Sequence, residues 1–210
     1  ISDIRKLERM RRDFVANVSH EFKTPLTAIQ GFAETLLEGA LEDKQNSRRF
    51  LEIIRDHAVR LGQVTSDLLK LSLIEAGRLE LDKRPLVVKD LIEACIETVR
   101  LKAEKKQISL SAECASGVGT IQADSGRLRE ALLNLLDNAL QYTPAGGRIS
   151  VSARMADSQI VISVTDTGIG IPKADQQKIF ERFYRVDDAR SREVGGTGLG
   201  LSITKHLVEA

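Results

Sequence analysis

Apolar residues at Leu7, Phe14, Val18, Phe22, Ile29 and Leu36 recur at helical spacing and draw one stripe along the start of the chain. That spacing predicts a long amphipathic helix. After a turn around residues 39–43, a second stripe runs through Phe50, Ile54, His57, Leu61, Val64, Leu68 and Leu71 in alternating steps of four and three. Such a heptad-like seam is the pattern of coiled-coil and bundle packing. His57 lies inside it and reads as a packing or rim residue. Two helices alone enclose no core, so the antiparallel pair is expected to dimerise into a four-helix bundle. Gly77 ends the second helix, making residues 1–77 a helical dimerisation unit followed by a linker at 78–85.

From residue 86 onward the period changes repeatedly. Residues 87–106 read as helix, Ile108, Leu110 and Ala112 alternate as a strand, and residues 120–123 suggest another. Asp124 has the position of an N-cap for a helix over 125–141. Ile149, Val151 and Ala153, a polar turn at 156–158, and then Ile160, Ile162 and Val164 predict a hairpin. The last helical stretch is 201–208. Helices gathered on one face of a largely antiparallel sheet make an α+β unit over 86–210.

Composition narrows the class. With 31 basic against 30 acidic residues the net charge is +1, which gives no electrostatic case for nucleic acid or a membrane surface as partner. The two cysteines, Cys95 and Cys114, are too few and isolated for a disulfide framework or thiolate metal site, and fit a reducing compartment. No apolar run approaches the roughly 18 residues that would cross a bilayer.

The candidate chemistry falls at five places. His20 lies roughly 160° around the first helix from Val18, so that helix holds an imidazole up to solvent, with Glu21 beside it. Pro25 is expected to break the helix one turn later and confer local mobility, because proline removes a ladder donor and clashes with the preceding turn. On the helix after Asp124, Leu128, Leu132, Leu135, Leu136 and Ala139 form one face, while Asn134, Asn138 and Gln141 cluster within about 60° on the other. Paired asparagines offer carbonyl oxygens to a hard cation and amides to phosphate. Asp166, at the hairpin's end, precedes Gly168 and Gly170, a pattern that can accept from an exocyclic amine while the backbone approaches a flat ring. Glycines 195, 196, 198 and 200 open the last helix, where free amides favour an anion. Between the glycine clusters, Lys173, Lys178, Arg182, Arg185, Arg190 and Arg192 form a basic loop suited to a lid over phosphates.

In order and spacing, these features resemble two-component sensor histidine kinases. Residues around His20 resemble the H-box, 134–138 the N-box, 166–170 and 195–200 the two glycine boxes, and 180–183 the F-box. Residues 14–20 and 182–192 are most similar to the phosphate-regulon sensor branch. The resemblance implies a dimeric helical hairpin followed by an α/β sandwich that binds ATP–Mg²⁺. His20 would be the phospho-acceptor, Glu21 would take its Nδ1 proton, and Thr24 would orient water when the kinase acts as a phosphatase. Asn138 would ligate Mg²⁺, Asn134 would support the phosphates and Asp166 would read the adenine amine. Gly168 and Gly170 would seat the base. Tyr142, Arg185, Gly196, Thr197, Gly198, Leu199 and Gly200 complete the implied nucleotide set.

Gln141 departs from the family, which often has a cation there, so weaker ATP binding or reliance on lid cations is expected. The family partners are a second copy and a response regulator docking over residues 28–35, with no nucleic acid and no membrane contact by this portion. Residues 1–8 resemble the exit of a PAS sensor, implying an upstream sensor and a cytoplasmic portion of a membrane-anchored bacterial protein. Both ends read as cut, and the family's closing hairpin after the last helix is missing, so the sheet is expected to be incomplete. The rival readings are an ATPase of the same superfamily and a non-catalytic dimeric scaffold. Asparagine at 134, where such ATPases usually carry a glutamate general base, favours transfer over hydrolysis.

Overall fold

The computed structural model describes residues 2–186 and 196–210, with residues 2–11 described as backbone alone. Helix α1 spans Ser2–Thr35, passes through a single π-helical turn at Leu36–Ala40, and is followed by α2, Lys44–Glu75. Asp43 caps α2 by accepting from the amides of Gln45 (3.1 Å) and Asn46 (3.2 Å). The two apolar stripes face each other: Val64, Leu71 and Leu36 are buried, and Phe32 stacks on Phe50 with ring centroids 5.3 Å apart. His57 is half-buried in the seam.

Pro25 does not break α1, contrary to the expected break. Its ring is fully buried. Only the ladder bond to the Glu21 carbonyl is forfeited, and burial of the ring offsets that cost.

The remaining elements are β1 (Arg84–Val87), α3 (Val88–Lys105), β2 (Ser109–Cys114), β3 (Thr120–Ala123), α4 (Ser125–Tyr142), β4 (Arg148–Ala156), β5 (Gln159–Asp166), a 3₁₀ turn at Lys178–Phe180 and α5 (Gly200–Glu209). The last two residues of the stretch read as linker, Arg84 and Pro85, are already strand, paired antiparallel with Ala123 and Gln122. The larger sheet has the order β2-β4-β5 and is mixed rather than largely antiparallel. β4 and β5 form the expected hairpin, but β2 runs parallel to β4. The crossover from β2 to β4 contains α4, and a connection of that length returns the chain in the same direction.

Helices α3 and α4 pack on one face of this sheet. Ile92, Cys95 and Val99 meet Leu132, Leu136 and Ala139 above Ile149, Val151 and Ala153. Both cysteines are free thiols. A second apolar cluster joins the hairpin to the later unit: Leu71 and Leu68 of α2 pack with Leu199, Ile203, Leu207 and Phe183. Among the described residues, no helix is long and apolar enough to cross a membrane.

Asp124 caps α4 as read, accepting from the Arg127 amide (3.0 Å) and also from the Asp82 amide (3.1 Å). These bonds hold its carboxyl below the usual range. Asp124→Ala is expected to cost about 1 kcal/mol in urea unfolding at neutral pH. Because the folded pKa is lowered, that contribution is present above the ordinary carboxyl range and fades as pH falls through the folded value. The gap between wild type and variant should therefore close in acid.

Candidate functional site

Helix α4 points its apolar face at the sheet, which leaves Asn134, Asn138 and Gln141 half-buried on the side toward α5 and the glycine clusters. Asn134 is engaged with α5, its amide donating to the Gly200 carbonyl and to Thr204 Oγ1, each at 3.4 Å. Among the described residues Asn138 makes no side-chain hydrogen bond. Gln141 faces the second glycine cluster, its Nε2 lying 3.6 Å from where a Cβ on Gly196 would sit. Tyr142 is exposed at the helix end. Lys106 secures that end by donating to the carbonyls of Leu140 (2.6 Å) and Gln141 (2.9 Å), a cation where the helix dipole is negative.

Asp166 ends β5, and its Oδ1 accepts from the Gly168 amide at 2.8 Å. The turn lies hard against α4, where the Ile169 amide donates to the Tyr142 carbonyl at 3.3 Å. Gly168 permits that approach, since a Cβ there would stand 2.7 Å from the same carbonyl oxygen. Gly170 follows with φ +71°.

Gly198 (φ +71°) meets Phe183 (φ +62°) back to back. The Phe183 amide donates to the Gly198 carbonyl at 2.9 Å, and a Cβ on Gly198 would fall 2.9 Å from Phe183 Cα. Thr197 Oγ1 accepts from the Leu199 amide at 3.2 Å. Leu199 is buried, and Gly200 begins α5 beside Asn134. The loop before this cluster is pinned by Tyr184, whose hydroxyl donates to Asp175 Oδ1 at 2.6 Å; that bond pushes the phenol up to about 12. Of the basic loop, Arg190 and Arg192 lie outside the described residues, as does Gly195.

On the hairpin, His20 is exposed. The Glu21 carboxylate is ion-paired, taking Arg60 on one oxygen (3.0 Å) and Arg185 on the other (3.1 Å). Arg185, read as a phosphate-facing lid residue, is only 8% exposed and also donates to the Gly196 carbonyl. Thr24 donates to the His20 carbonyl at 3.2 Å, so its hydroxyl is in use here. Phe14 packs on Phe183 with centroids 5.7 Å apart, and Arg182 pairs with Glu75.

Sequence reasoning missed two residues of this contact. Asp67 of α2 is buried and accepts from Gln63 and from Thr197. Burial raises its pKa, against the hydrogen bonds from Gln63 and Thr197 and the charge of Lys70, which lower it. Its signal was available, because an acid at 67 falls on the apolar seam between Val64 and Leu71. Arg60 had no such signal.

The two halves of this arrangement have separate counterparts among known proteins. Residues 10–77 match the family described as His Kinase A (phospho-acceptor) domain. Residues 123–210 match the histidine kinase-, DNA gyrase B- and HSP90-like ATPase family. The sensor-like histidine kinase SenX3 of Mycolicibacterium smegmatis is 42% identical over 98% of this chain and 53% of its own length. The chain belongs to the sensor histidine kinases. The phosphate regulon sensor protein PhoR of Pseudomonas aeruginosa is 37% identical over 99% of this chain and 47% of its own length. This histidine kinase chain thus spans about half the length of these curated relatives. In fold it is similar to the histidine kinase ThkA solved in complex with the response regulator TrrA, with TM-score 0.72 at 24% identity, covering 86% of this chain and 53% of that one.

Proposed function

We propose that this chain uses ATP to phosphorylate His20 and then hands the phosphoryl group to an aspartate of a response regulator. The observation that carries this reading is an exposed imidazole on a hairpin packed against the unit that bears Asn134, Asn138, Asp166, Gly168, Gly170 and the loop from Gly196 to Gly200. His20 Nε2 would attack the γ-phosphorus, the bond to the β–γ bridging oxygen would break, and ADP would leave. Such transfer depends mainly on positioning and on neutralising charge.

Glu21 would take the Nδ1 proton, which requires it to leave Arg185. Asn134 cannot act as a general base toward water, which favours transfer over hydrolysis. Asp166 would accept from the adenine amine, and Gly168 and Gly170 would let the base seat. The loop from Gly196 to Gly200 would offer amides to the phosphates, with Tyr142 and Gln141 at its margin.

Mg²⁺ supplies charge neutralisation on the phosphates when bound. Among the described residues no group of three or more His, Cys, Asp or Glu could cage a metal. The half-buried Asn138 oxygen fits instead, since this ion is usually held by one or two protein oxygens together with phosphate and water. Exposed Leu26, Leu51, Val59, Leu69 and Leu73 on the hairpin support pairing with a second copy. A regulator would dock over residues 28–35, just below His20, and Thr24 would orient water when the chain dephosphorylates it. The chain would be the cytoplasmic portion of an inner-membrane bacterial sensor.

The test is incubation with γ-labelled ATP and Mg²⁺ followed by mass-spectrometric mapping. Acid-labile, base-stable label on His20 is expected. Free phosphate without label would establish an ATPase instead, and neither product would leave a nucleotide-binding scaffold.

A further inference from the structure

Asp67 is an acid buried where two apolar surfaces meet. It is 5% exposed, one turn before Leu71, beside the cluster that joins α2 to Leu199 and Ile203. Its Oδ1 accepts from Gln63 Nε2 at 2.7 Å, a partner on its own helix, but Oδ2 accepts across the interface from Thr197 Oγ1 at 3.3 Å. The same hydroxyl accepts from the Leu199 amide. A chain of hydrogen bonds therefore runs from α2 into the backbone of the loop that opens α5. Nearby, Lys70 pairs with Glu130 of α4 at 2.6 Å, and Glu130 is shared with Arg127, so the Lys70 charge offsets that of Asp67 only in part. Apolar packing alone would close this interface, and a carboxylate within it costs desolvation unless it has a task.

We infer that Asp67 is a positioning residue that holds Thr197 in the docked arrangement and opposes the arrival of nucleotide phosphates at the loop from Gly196 to Gly200. The inference rests on the proposed ATP site. Two effects act in the same direction. The hydrogen bond ties the loop to α2 in a conformation set by the hairpin rather than by a ligand. The carboxylate also places negative charge directly behind a loop expected to receive a polyanion, in an interior where water screens little. By linkage, whatever hairpin docking costs nucleotide binding, nucleotide binding costs docking. Sensor histidine kinases with an apolar residue at this position would lack the coupling.

The experiment uses the intact chain and a non-hydrolysable ATP analogue with Mg²⁺, titrated calorimetrically, together with KM and kcat for labelling of His20. Asp67→Asn keeps the volume and one acceptor oxygen but removes the charge. It is expected to lower the Kd and the KM for ATP threefold to tenfold while changing kcat less than twofold. Asp67→Ala, which removes both charge and bridge, should tighten binding at least as much, and Asp67→Asn decides alone if Asp67→Ala fails to fold. Asp56→Asn, an exposed acid on the same helix paired with Arg55, should leave Kd unchanged. A Kd for Asp67→Asn within twofold of wild type, or weaker, overturns the inference. Wild-type chain that bound no nucleotide would overturn both this inference and the proposed function. Binding without label on His20 would overturn only the kinase reading and leave the Kd comparison to decide on Asp67.

Discussion

Alanine at Gly168 will weaken ATP binding about 100-fold or more while leaving the chain folded. The added methyl would stand 2.7 Å from the Tyr142 carbonyl oxygen, 2.7 Å from Asp166 Oδ1 and 3.1 Å from the Tyr142 carbonyl carbon. Neither side can yield cheaply. The Tyr142 carbonyl belongs to the end of α4, which Lys106 grips through two neighbouring carbonyls. Moving the turn outward instead breaks the bond from the Gly168 amide to Asp166 and displaces the carboxylate expected to read adenine. A 100-fold loss is close to 2.8 kcal/mol, within the roughly 1–3 kcal/mol that overpacking usually costs. Gly168 is half-buried and the same clash strains the folded chain, so urea unfolding should show a loss of roughly 1–3 kcal/mol with the native fold retained. Titration with an ATP analogue alongside urea unfolding measures both quantities, and a Kd within threefold of wild type would refute the assigned role of this turn.

Replacing Glu21 will separate its two tasks. As the base for His20, its loss should cut the rate of labelling at saturating ATP by about 10²- to 10⁴-fold, in Glu21→Gln as well as in Glu21→Ala. As the carboxylate shared by Arg60 and Arg185, its loss strands two guanidinium groups that are 19% and 8% exposed. Removing one partner of a buried ion pair costs roughly 3–5 kcal/mol when the other charge must stay buried. Here separation of the hairpin from the nucleotide unit can rehydrate Arg185, so the cost should appear as undocking rather than unfolding. Small-angle scattering of Glu21→Ala should therefore show a more extended particle with secondary structure intact. Glu21→Gln that labelled His20 at the wild-type rate would assign Glu21 to docking alone.

These two substitutions differ in how they could be foreseen. Gly168 stands out by its spacing to Asp166, because a glycine just after an acid at a strand end permits close backbone approach or a positive φ. Glu21 was picked out from its place beside His20, and that adjacency says nothing of Arg60 or Arg185. Pro25 shows the same limit: the local rule predicts a broken helix, yet burial of the ring lets α1 continue. The parallel pairing of β2 with β4 was missed because alternation identifies a strand without saying which way its neighbour runs.

Helices, strands, the Asp124 cap and the residue types of the cleft were legible from the chain because they follow from backbone periodicity and side-chain chemistry over a few residues. The grip of Arg60 and Arg185 on Glu21, across 39 and 164 residues, was not. Neither was the reach of Asp67 to Thr197 across 130. Contacts at such separations arise when whole elements pack, and no short-range pattern encodes which distant surfaces will meet.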